Sequence, residues 1–444
     1  MLTMIFSRLI NSKSTLLVFM TIFTAGSVYA QVEYVHLESY QNISPAYHSY
    51  EDTPFENLFR EGWNSITGTW QELVVANGLK AEAFWDVARK AVEANTMPFN
   101  IANYQVTEKH TGNDVAMQLV GAAIRQIVVT YRSVTPLGDS VTLSGKIFIP
   151  KQGTLRNIIV ANHYTICSNA EAPSQAFSIE GVFASKGYIV IMPDYMGYGV
   201  SVDLPHPYLN LESTVTSSID LLLAAIPYLS YHNYNFDKPL ILVGYSQGGA
   251  VTLAMQRKLE EDYADRFTIK KVYAGAGPYD LAGTYDFYAA QDTTDIPCAV
   301  PMLVQGMNYS EQLGLDMQDY FHEKLLETYE TLIESKKNNM YIVNATLGKD
   351  IHKLVTPLAL NKDSFPTTKL YVALQKNSIV HWTPKAPLFM FQSTQDNMVP
   401  FLNSEHVREE FMLQHLENVE YDFAPYGNHL NAAVLFFEKV YRSL

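Results

Sequence analysis

The sequence predicts an α/β fold, in which a mostly parallel central sheet carries helices on both faces. Short apolar runs recur along the chain, and each is followed by a stretch with helical spacing of apolar residues, which is typical of parallel strands joined by helices. The runs are Asn157–Ala161, Tyr188–Met192, Leu240–Val243, Val272–Ala274 and Leu388–Phe391. Functional side chains in such sheets are expected at the carboxyl ends of the strands.

A β-hairpin is predicted ahead of these runs. Alternating apolar residues in Arg125–Val134 and Val141–Pro150 flank a turn rich in Pro, Gly and Asp. Residues 31–115 are predicted to form a helical N-terminal extension, because Phe55–Phe59 and Leu79–Ala88 show helical spacing.

The first 30 residues are predicted to be a secretory signal peptide. Arg8 and Lys13 precede an apolar stretch, Leu16–Ala25, and Val28–Ala30 is a small-residue cleavage site. The protein is therefore expected to be secreted or periplasmic. An uncleaved membrane anchor is the alternative, although the apolar stretch is shorter than the roughly 20 residues that a span needs.

The stretch Gly244–Gly249 is predicted to be a nucleophile turn. It reads Gly-Tyr-Ser-Gln-Gly-Gly and lies between the apolar run that ends at Val243 and a helical pattern. A serine on such a strand–turn–helix unit has an exposed hydroxyl, and glycines on either side allow close packing. Ser246 is the predicted nucleophile, and the backbone N–H of Gln247 is a predicted oxyanion donor.

The acid and the base are predicted at the ends of two later strands. Asp396 follows the run Leu388–Phe391, and His429 follows a final alternating strand, Val419–Phe423. His429 would take and return the serine proton, while Asp396 would orient the imidazole. Asp280, after the run Val272–Ala274, is the reserve acid.

The loop Asn162–Cys167 is predicted to supply a second oxyanion donor. The candidates are Tyr164 and Thr165, through a backbone N–H or the Thr165 hydroxyl. His163 is interpreted as a structural hydrogen-bonding residue rather than the base. Three residues beside strand ends are predicted to contact substrate: Tyr245, His163 and Tyr195. The loop His206–Tyr208 is expected at the entrance, and Asp194 is expected to hold its own loop together.

An insertion, defined here as residues 280–385, interrupts the fold before the strand that bears Asp396. One helix would suffice there, so the insertion is predicted to be a separate helical cap over the site. The remaining core is then formed by residues 116–279 and 386–444.

Composition limits the partners. The chain has 444 residues and a net charge of −14, and such a surface repels nucleic-acid phosphates. The sequence contains no metal-binding or nucleotide-binding motif, so no metal or cofactor is predicted. Cys167 and Cys298 could pair in an oxidising compartment or remain as buried thiols, and the oligomeric state is left open.

Four motifs together resemble the α/β-hydrolases. They are Gly244–Gly249, Asp194–Gly199, Thr394–Pro400 with Asp396, and Gly427-Asn-His429. Residues 125–444 are similar to the secretory lipase family, the lipase A-like group in particular, although the loop 162–165 lacks the acidic residue of that group. The resemblance implies the α/β-hydrolase fold and a cofactor-free extracellular enzyme that hydrolyses carboxylic esters, including acylglycerols.

The predicted function is therefore a serine esterase or lipase that forms an acyl-enzyme. Its substrate would be a small-molecule, lipid or carbohydrate ester, and transient contact with a lipid surface is left open. A prolyl-type serine peptidase and a carbohydrate esterase that removes acetyl or feruloyl groups are alternatives on the same fold. A binding protein on a hydrolase fold is the non-enzymatic alternative.

Overall fold

A computed structural model describes residues 32–37, 46–49, 124–150, 153–176, 178–234 and 238–444. Its centre is one sheet, with strand order β10-β9-β8-β7-β5-β6-β4-β3-β1-β2. The described strands are β1 (Val32–Leu37), β2 (Ala46–Ser49), β3 (Ile124–Val134), β4 (Ser140–Pro150), β5 (Ile158–Asn162), β6 (Ile189–Pro193), β7 (Leu240–Tyr245), β8 (Ile269–Gly275), β9 (Leu388–Ser393) and β10 (Val419–Ala424).

The mostly parallel sheet predicted from the sequence is confirmed. The strands from β5 to β10 pair in parallel with one another, while β4 pairs antiparallel with both β3 and β6. The predicted hairpin is the β3–β4 pair, whose register runs from Ile124 opposite Pro150 to Val134 opposite Ser140.

Helices connect the strands of this sheet along the chain and cover its faces. The α-helices are α1 (Leu211–Tyr231), α2 (Gln247–Asp262), α3 (Leu281–Ala289), α4 (Ala299–Ser310), α5 (Met317–Tyr320), α6 (Glu323–Tyr329), α7 (Met340–Leu347), α8 (Ile351–Leu354), α9 (Thr367–Lys376), α10 (Leu402–Leu413) and α11 (His429–Ser443). Short 3-10 helices lie at Asn169–Glu171, Ile179–Lys186 and Gly199–Ser201, and a π-helical turn lies at Glu330–Glu334.

The two faces of the sheet bury separate apolar cores. In β7, Leu240 and Leu242 pack in the core that contains side chains of α1, α2 and α10. Ile241 and Val243 point to the other face, where they join side chains of α11 and the 3-10 helix Ile179–Lys186. Since successive side chains of a strand alternate between faces, an unbroken apolar run is what a strand covered on both sides requires.

The insertion contains helices α3 to α9, all of which lie between β8 and β9. Its core includes Met307, Tyr320, Val343 and Leu374, and this core continues into Cys167 and Tyr208 of the main body. The insertion therefore packs directly on the loops that follow β5 and β6. Within the described ranges, no helix combines the length and apolar character that a membrane span needs.

The N-terminal extension differs from the prediction where the structure describes it. Residues Val32–Leu37 and Ala46–Ser49 are strands rather than helices. β1 pairs in parallel with β3 and antiparallel with β2, so it uses the backbone groups that β3 presents at its outer edge. The predicted signal peptide and the predicted helical stretches Phe55–Phe59 and Leu79–Ala88 lie outside the described residues.

Candidate active site

The turn between β7 and α2 holds Ser246 in an unusual backbone conformation. Its φ is 59° and its ψ is −125°, and its N–H donates to the Gly275 carbonyl at 2.9 Å. A Cβ on Gly244 would overlap the Gly248 carbonyl, and a Cβ on Gly248 would overlap the Asn162 carbonyl at the end of β5. The glycines therefore permit a turn that places a serine at the carboxyl edge of the sheet.

His429 and Asp396 form a buried pair at the same edge. Nδ1 of His429 lies 2.6 Å from Oδ2 of Asp396, and the two side chains are 5% and 0% exposed. The Asp396 carboxylate is fixed by its other oxygen, which accepts the N–H groups of Met398 and Val399 at 2.9 Å each.

The backbone of His429 is also held. It is the first residue of α11, whose N-cap is Asn428, and its N–H donates to Oδ1 of Asn397 at 3.1 Å. Its carbonyl accepts the Tyr245 hydroxyl at 2.8 Å. Ser246 and His429 line the same small cavity of about 40 Å³, so the side chains predicted as nucleophile and base face one space.

The predicted oxyanion residues also surround Ser246. Gln247 begins α2, so its N–H is one of the unpaired donors of a helix N-terminus. Its side-chain Nε2 lies 3.3 Å from Nε2 of His206. Tyr164 and Thr165 line the small cavity with Ser246, and the Thr165 hydroxyl lies 2.8 Å from the Tyr208 hydroxyl.

Ser246 also lines a larger apolar cavity of about 140 Å³. The main body contributes Tyr208, Leu209 and Gln247 to its wall. The insertion supplies most of the remaining wall, namely Leu281, Thr284, Tyr285, Tyr288, Ala289, Thr294, Ile296, Ala299, Val300, Leu303, Val304, Tyr320, Ile351, Val355, Ala359, Leu360 and Leu370. Since Ser246 lines both cavities, a group bonded to its hydroxyl oxygen can extend into either space.

Of the three predicted substrate contacts, only Tyr245 lines one of these two cavities. His163 and Tyr195 do not line either cavity, since their rings stack on each other at 4.0 Å and both residues are buried. Both ring nitrogens of His163 lie near carbonyls, Nδ1 2.6 Å from that of Tyr164 and Nε2 3.1 Å from that of Asp194. His163 and Tyr195 thus pack against the backbone of the loop that follows β5, where the Tyr195 hydroxyl donates to the His163 carbonyl.

The two other acids considered from the sequence are engaged elsewhere. Asp280 caps α3 through the Gly283 N–H, and its other oxygen pairs with Nδ1 of His406 at 2.7 Å. Asp194 is buried and accepts the Ser174 N–H and the Ser144 hydroxyl. Neither carboxylate is hydrogen-bonded to His429.

The sequence matches the secretory lipase family over residues 172–437. The chain belongs to the secretory lipase family. It is accordingly a carboxylic-ester hydrolase of the lipase or esterase type. No curated protein matches the sequence of this secretory lipase.

Solved structures share the fold of this secretory lipase. The rice cell wall degrading esterase LipA from Xanthomonas oryzae is 23% identical, with a TM-score of 0.64 over 72% of this chain and 89% of that chain. A Legionella pneumophila protein is 22% identical, with a TM-score of 0.64 over 72% and 88% of the two chains. Candida antarctica lipase A in its closed state is 18% identical, with a TM-score of 0.52 over 70% and 74%.

Two buried carboxyls of this secretory lipase, Glu180 and Glu171, were missed in the sequence. Glu180 is 0% exposed, and neither of its side-chain oxygens has a hydrogen-bond partner among the residues that the structure describes; burial raises its pKa to about 8. Burial also raises the pKa of Glu171, to about 7. The hydrogen bonds that its carboxylate accepts from the N–H groups of Cys167 and Ser168 lower the pKa, but by less than burial raises it. Glu171 could have been found as the fourth residue of the capping box Ser168–Glu171, whereas Glu180 carries no such signal.

The two cysteines are free thiols in this structure, and both are buried. A hydrogen bond with Cys298, together with burial, raises the pKa of Cys167 well above its usual value. Within the described ranges, no group of three or more His, Cys, Asp and Glu side chains is arranged to hold a metal ion.

Proposed function

We propose that this secretory lipase acts through a Ser246–His429–Asp396 triad and an acyl-enzyme intermediate. The observation that carries the proposal is the buried His429–Asp396 pair, which lies beside the cavity that His429 shares with Ser246. An Asp that accepts from Nδ1–H leaves Nε2 as the base facing the serine.

The reaction follows from these positions. The Ser246 oxygen attacks the ester carbonyl while Nε2 of His429 takes the hydroxyl proton, and Asp396 stabilises the imidazolium that forms. The Gln247 N–H and a group of the loop Tyr164–Thr165 donate to the oxyanion. His429 then protonates the departing alkoxide. Water, deprotonated by His429, attacks the acyl-enzyme and releases the carboxylic acid and Ser246.

The larger cavity supports an ester with an apolar acyl chain as the substrate. Its wall is dominated by aliphatic and aromatic side chains, and it begins at Ser246. Burying an acyl chain there would gain about 0.8 kcal/mol per CH₂ group. The insertion then acts as a cap that shapes the acyl pocket and excludes water. Acetyl esters would leave most of this pocket empty.

Export is the second part of the proposal. Residues 1–30 have the basic start, apolar middle and small-residue cleavage site of a signal peptide, which agrees with the description of the family as secretory. The mature enzyme would begin at Gln31.

A panel of p-nitrophenyl esters from acetate to palmitate tests this function, with an aminoacyl-proline amide beside them. Each compound is assayed with the protein purified from a secreting host and with Ser246→Ala. We expect ester turnover that disappears in Ser246→Ala and rises with acyl length beyond acetate. Dominant amide turnover would favour the peptidase, and ester turnover that survives in Ser246→Ala would overturn the proposal.

A further inference from the structure

We propose that the segment His206–Tyr208 is a bracket that positions both oxyanion donors and that Tyr208 orients the hydroxyl of Thr165 toward the oxyanion. The inference rests on the proposed function, because it takes Thr165 and Gln247 as the donors. It adds two positioning residues, His206 and Tyr208, which the sequence placed only in an entrance loop.

The bond between Tyr208 and Thr165 sets the direction of the Thr165 hydroxyl. Their oxygens lie 2.8 Å apart, and both residues are buried. Each hydroxyl has one hydrogen, so only one of the two donates in this bond. If Tyr208 donates, the hydrogen of Thr165 is free to point into the cavity that Thr165 lines with Ser246.

The environment favours Tyr208 as that donor. No other hydrogen-bond partner of its hydroxyl is found among the described residues, and burial raises the pKa of Tyr208, so it keeps its proton. Its donation also polarises the Thr165 O–H, since hydrogen bonds in a chain strengthen one another. The result is an oriented neutral donor that needs no reorganisation when negative charge develops on the substrate oxygen.

His206 acts on the second donor. Its Nδ1 lies 2.7 Å from the Met196 carbonyl, so this nitrogen must carry the hydrogen. Its Nε2 is then an acceptor, and the Gln247 side-chain amide donates to it at 3.3 Å. Burial lowers the pKa of His206 to about 3, so the ring stays neutral and keeps this tautomer. Gln247 is thereby fixed by its side chain while its backbone N–H remains available.

The insertion packs on the bracket with no intervening side chain. Gly306 of α4 faces it, and a Cβ there would lie 2.5 Å from the Tyr208 nitrogen and 3.2 Å from the His206 carbonyl oxygen. Pro207 and the Tyr208 N–H to His206 carbonyl bond of 2.8 Å make the bracket a tight turn. A displacement of α4 would therefore move the bracket, and with it both donors.

The test is a double-mutant cycle on Tyr208→Phe and Thr165→Val with p-nitrophenyl butyrate. Thr165→Val should lower kcat by about 100-fold, the usual effect of losing one oxyanion donor. Tyr208→Phe keeps the ring and removes only the hydroxyl, so we expect kcat to fall about tenfold with KM within twofold. In the Thr165→Val background it should add less than twofold, while Thr165→Ser should retain the full effect of Tyr208→Phe.

A second pair of variants tests the contact with the insertion. Gly306→Ala should lower kcat at least about fivefold, because the new methyl must displace the bracket. Gln305→Ala, its neighbour on α4, should leave kcat unchanged. Thermal unfolding of each variant establishes that the assayed protein is folded.

Wild-type kcat in Tyr208→Phe, or an additive loss in the double mutant, would overturn the bracket while ester turnover through Ser246 stands. Ester turnover that survives in Ser246→Ala would instead overturn the proposed function. The two failures are therefore distinct.

Discussion

Nδ1 of His429 lies 2.6 Å from Oδ2 of Asp396, and the other oxygen of the same carboxylate accepts two backbone N–H groups. The carboxylate cannot rotate without losing all three contacts. His429 is thus held with its Nδ1–H directed at Asp396, and its Nε2 is left without a partner in the described structure. This arrangement suits a base that must exchange one proton with a serine hydroxyl.

Asp396→Asn tests the role of that carboxylate. The amide can direct its NH₂ at Nδ1, which would favour the wrong tautomer of His429, so kcat should fall by about 10⁴-fold. The free energy of unfolding should change little, since one amide oxygen can still accept the turn N–H groups. Asp280→Asn is the matched control, because its carboxylate pairs with His406. A tenfold or smaller loss in Asp396→Asn would contradict the assignment.

Gly248→Ala tests the close packing beneath Ser246. The added methyl would overlap the backbone carbonyls of Asn162 and His163, which cannot rotate away as a side chain could. We expect the free energy of unfolding to fall by about 3 kcal/mol, measured by urea denaturation. Gly138→Asn is the control, since nothing lies within 4 Å of a Cβ there and Asn tolerates its positive φ. Unchanged stability in Gly248→Ala would show that the turn is looser than described.

Leu303→Trp tests the larger cavity as the acyl pocket. Leu303 of α4 lines this cavity, and an indole would fill part of it. Turnover of p-nitrophenyl palmitate should fall at least about tenfold while turnover of the acetate stays within about twofold. Val372→Trp, at an exposed position of α9, controls for the added aromatic ring. An equal loss for both esters would place the acyl chain elsewhere.

Glu180→Gln tests the buried carboxyl through the pH dependence of stability. The pKa of Glu180 is raised from 4.5 to about 8, so the folded state holds the proton more tightly than the unfolded chain does. Its contribution to stability is therefore fully present below about pH 4.5 and is lost as the pH rises to about 8, a change of roughly 5 kcal/mol. The free energy of unfolding of Glu180→Gln should vary less over this interval.

Glu171→Gln provides the comparison for that experiment. The pKa of Glu171 is raised only to about 7, and one of its oxygens accepts two N–H groups that an amide oxygen can also serve. Its replacement should flatten the profile over a narrower interval, from about pH 4.5 to 7. A Glu180→Gln profile identical to that of the wild type would mean that Glu180 is already ionised in the folded protein.

The features readable from the sequence are those whose chemistry is local. Apolar runs such as Leu240–Val243 identify buried parallel strands, and the glycines around Ser246 identify a tight turn at a strand end. The order of Ser246, Asp396 and His429 could also be read, because each follows a recognisable strand.

Other features depend on contacts between distant parts of the chain. The hydroxyls of Thr165 and Tyr208 meet across 43 positions of sequence, and no motif marks such a pair. The burial of Glu180 could not be predicted, since nothing in the stretch Ser178–Phe183 distinguishes it from an exposed acid. His163 and Tyr195 are buried away from both cavities, because proximity to a strand end does not determine whether a ring points into a cavity or packs in the interior.

The most direct measurement is reaction of the folded protein with a fluorophosphonate, followed by mass-spectrometric mapping of the modified peptide. The serine oxygen of a working triad attacks phosphorus and expels fluoride, so the adduct stays on the nucleophile. We predict a single adduct on Ser246, absent in Ser246→Ala and formed far more slowly in His429→Ala. An adduct on another residue, or none on Ser246 in protein that turns over esters, would contradict the proposed triad.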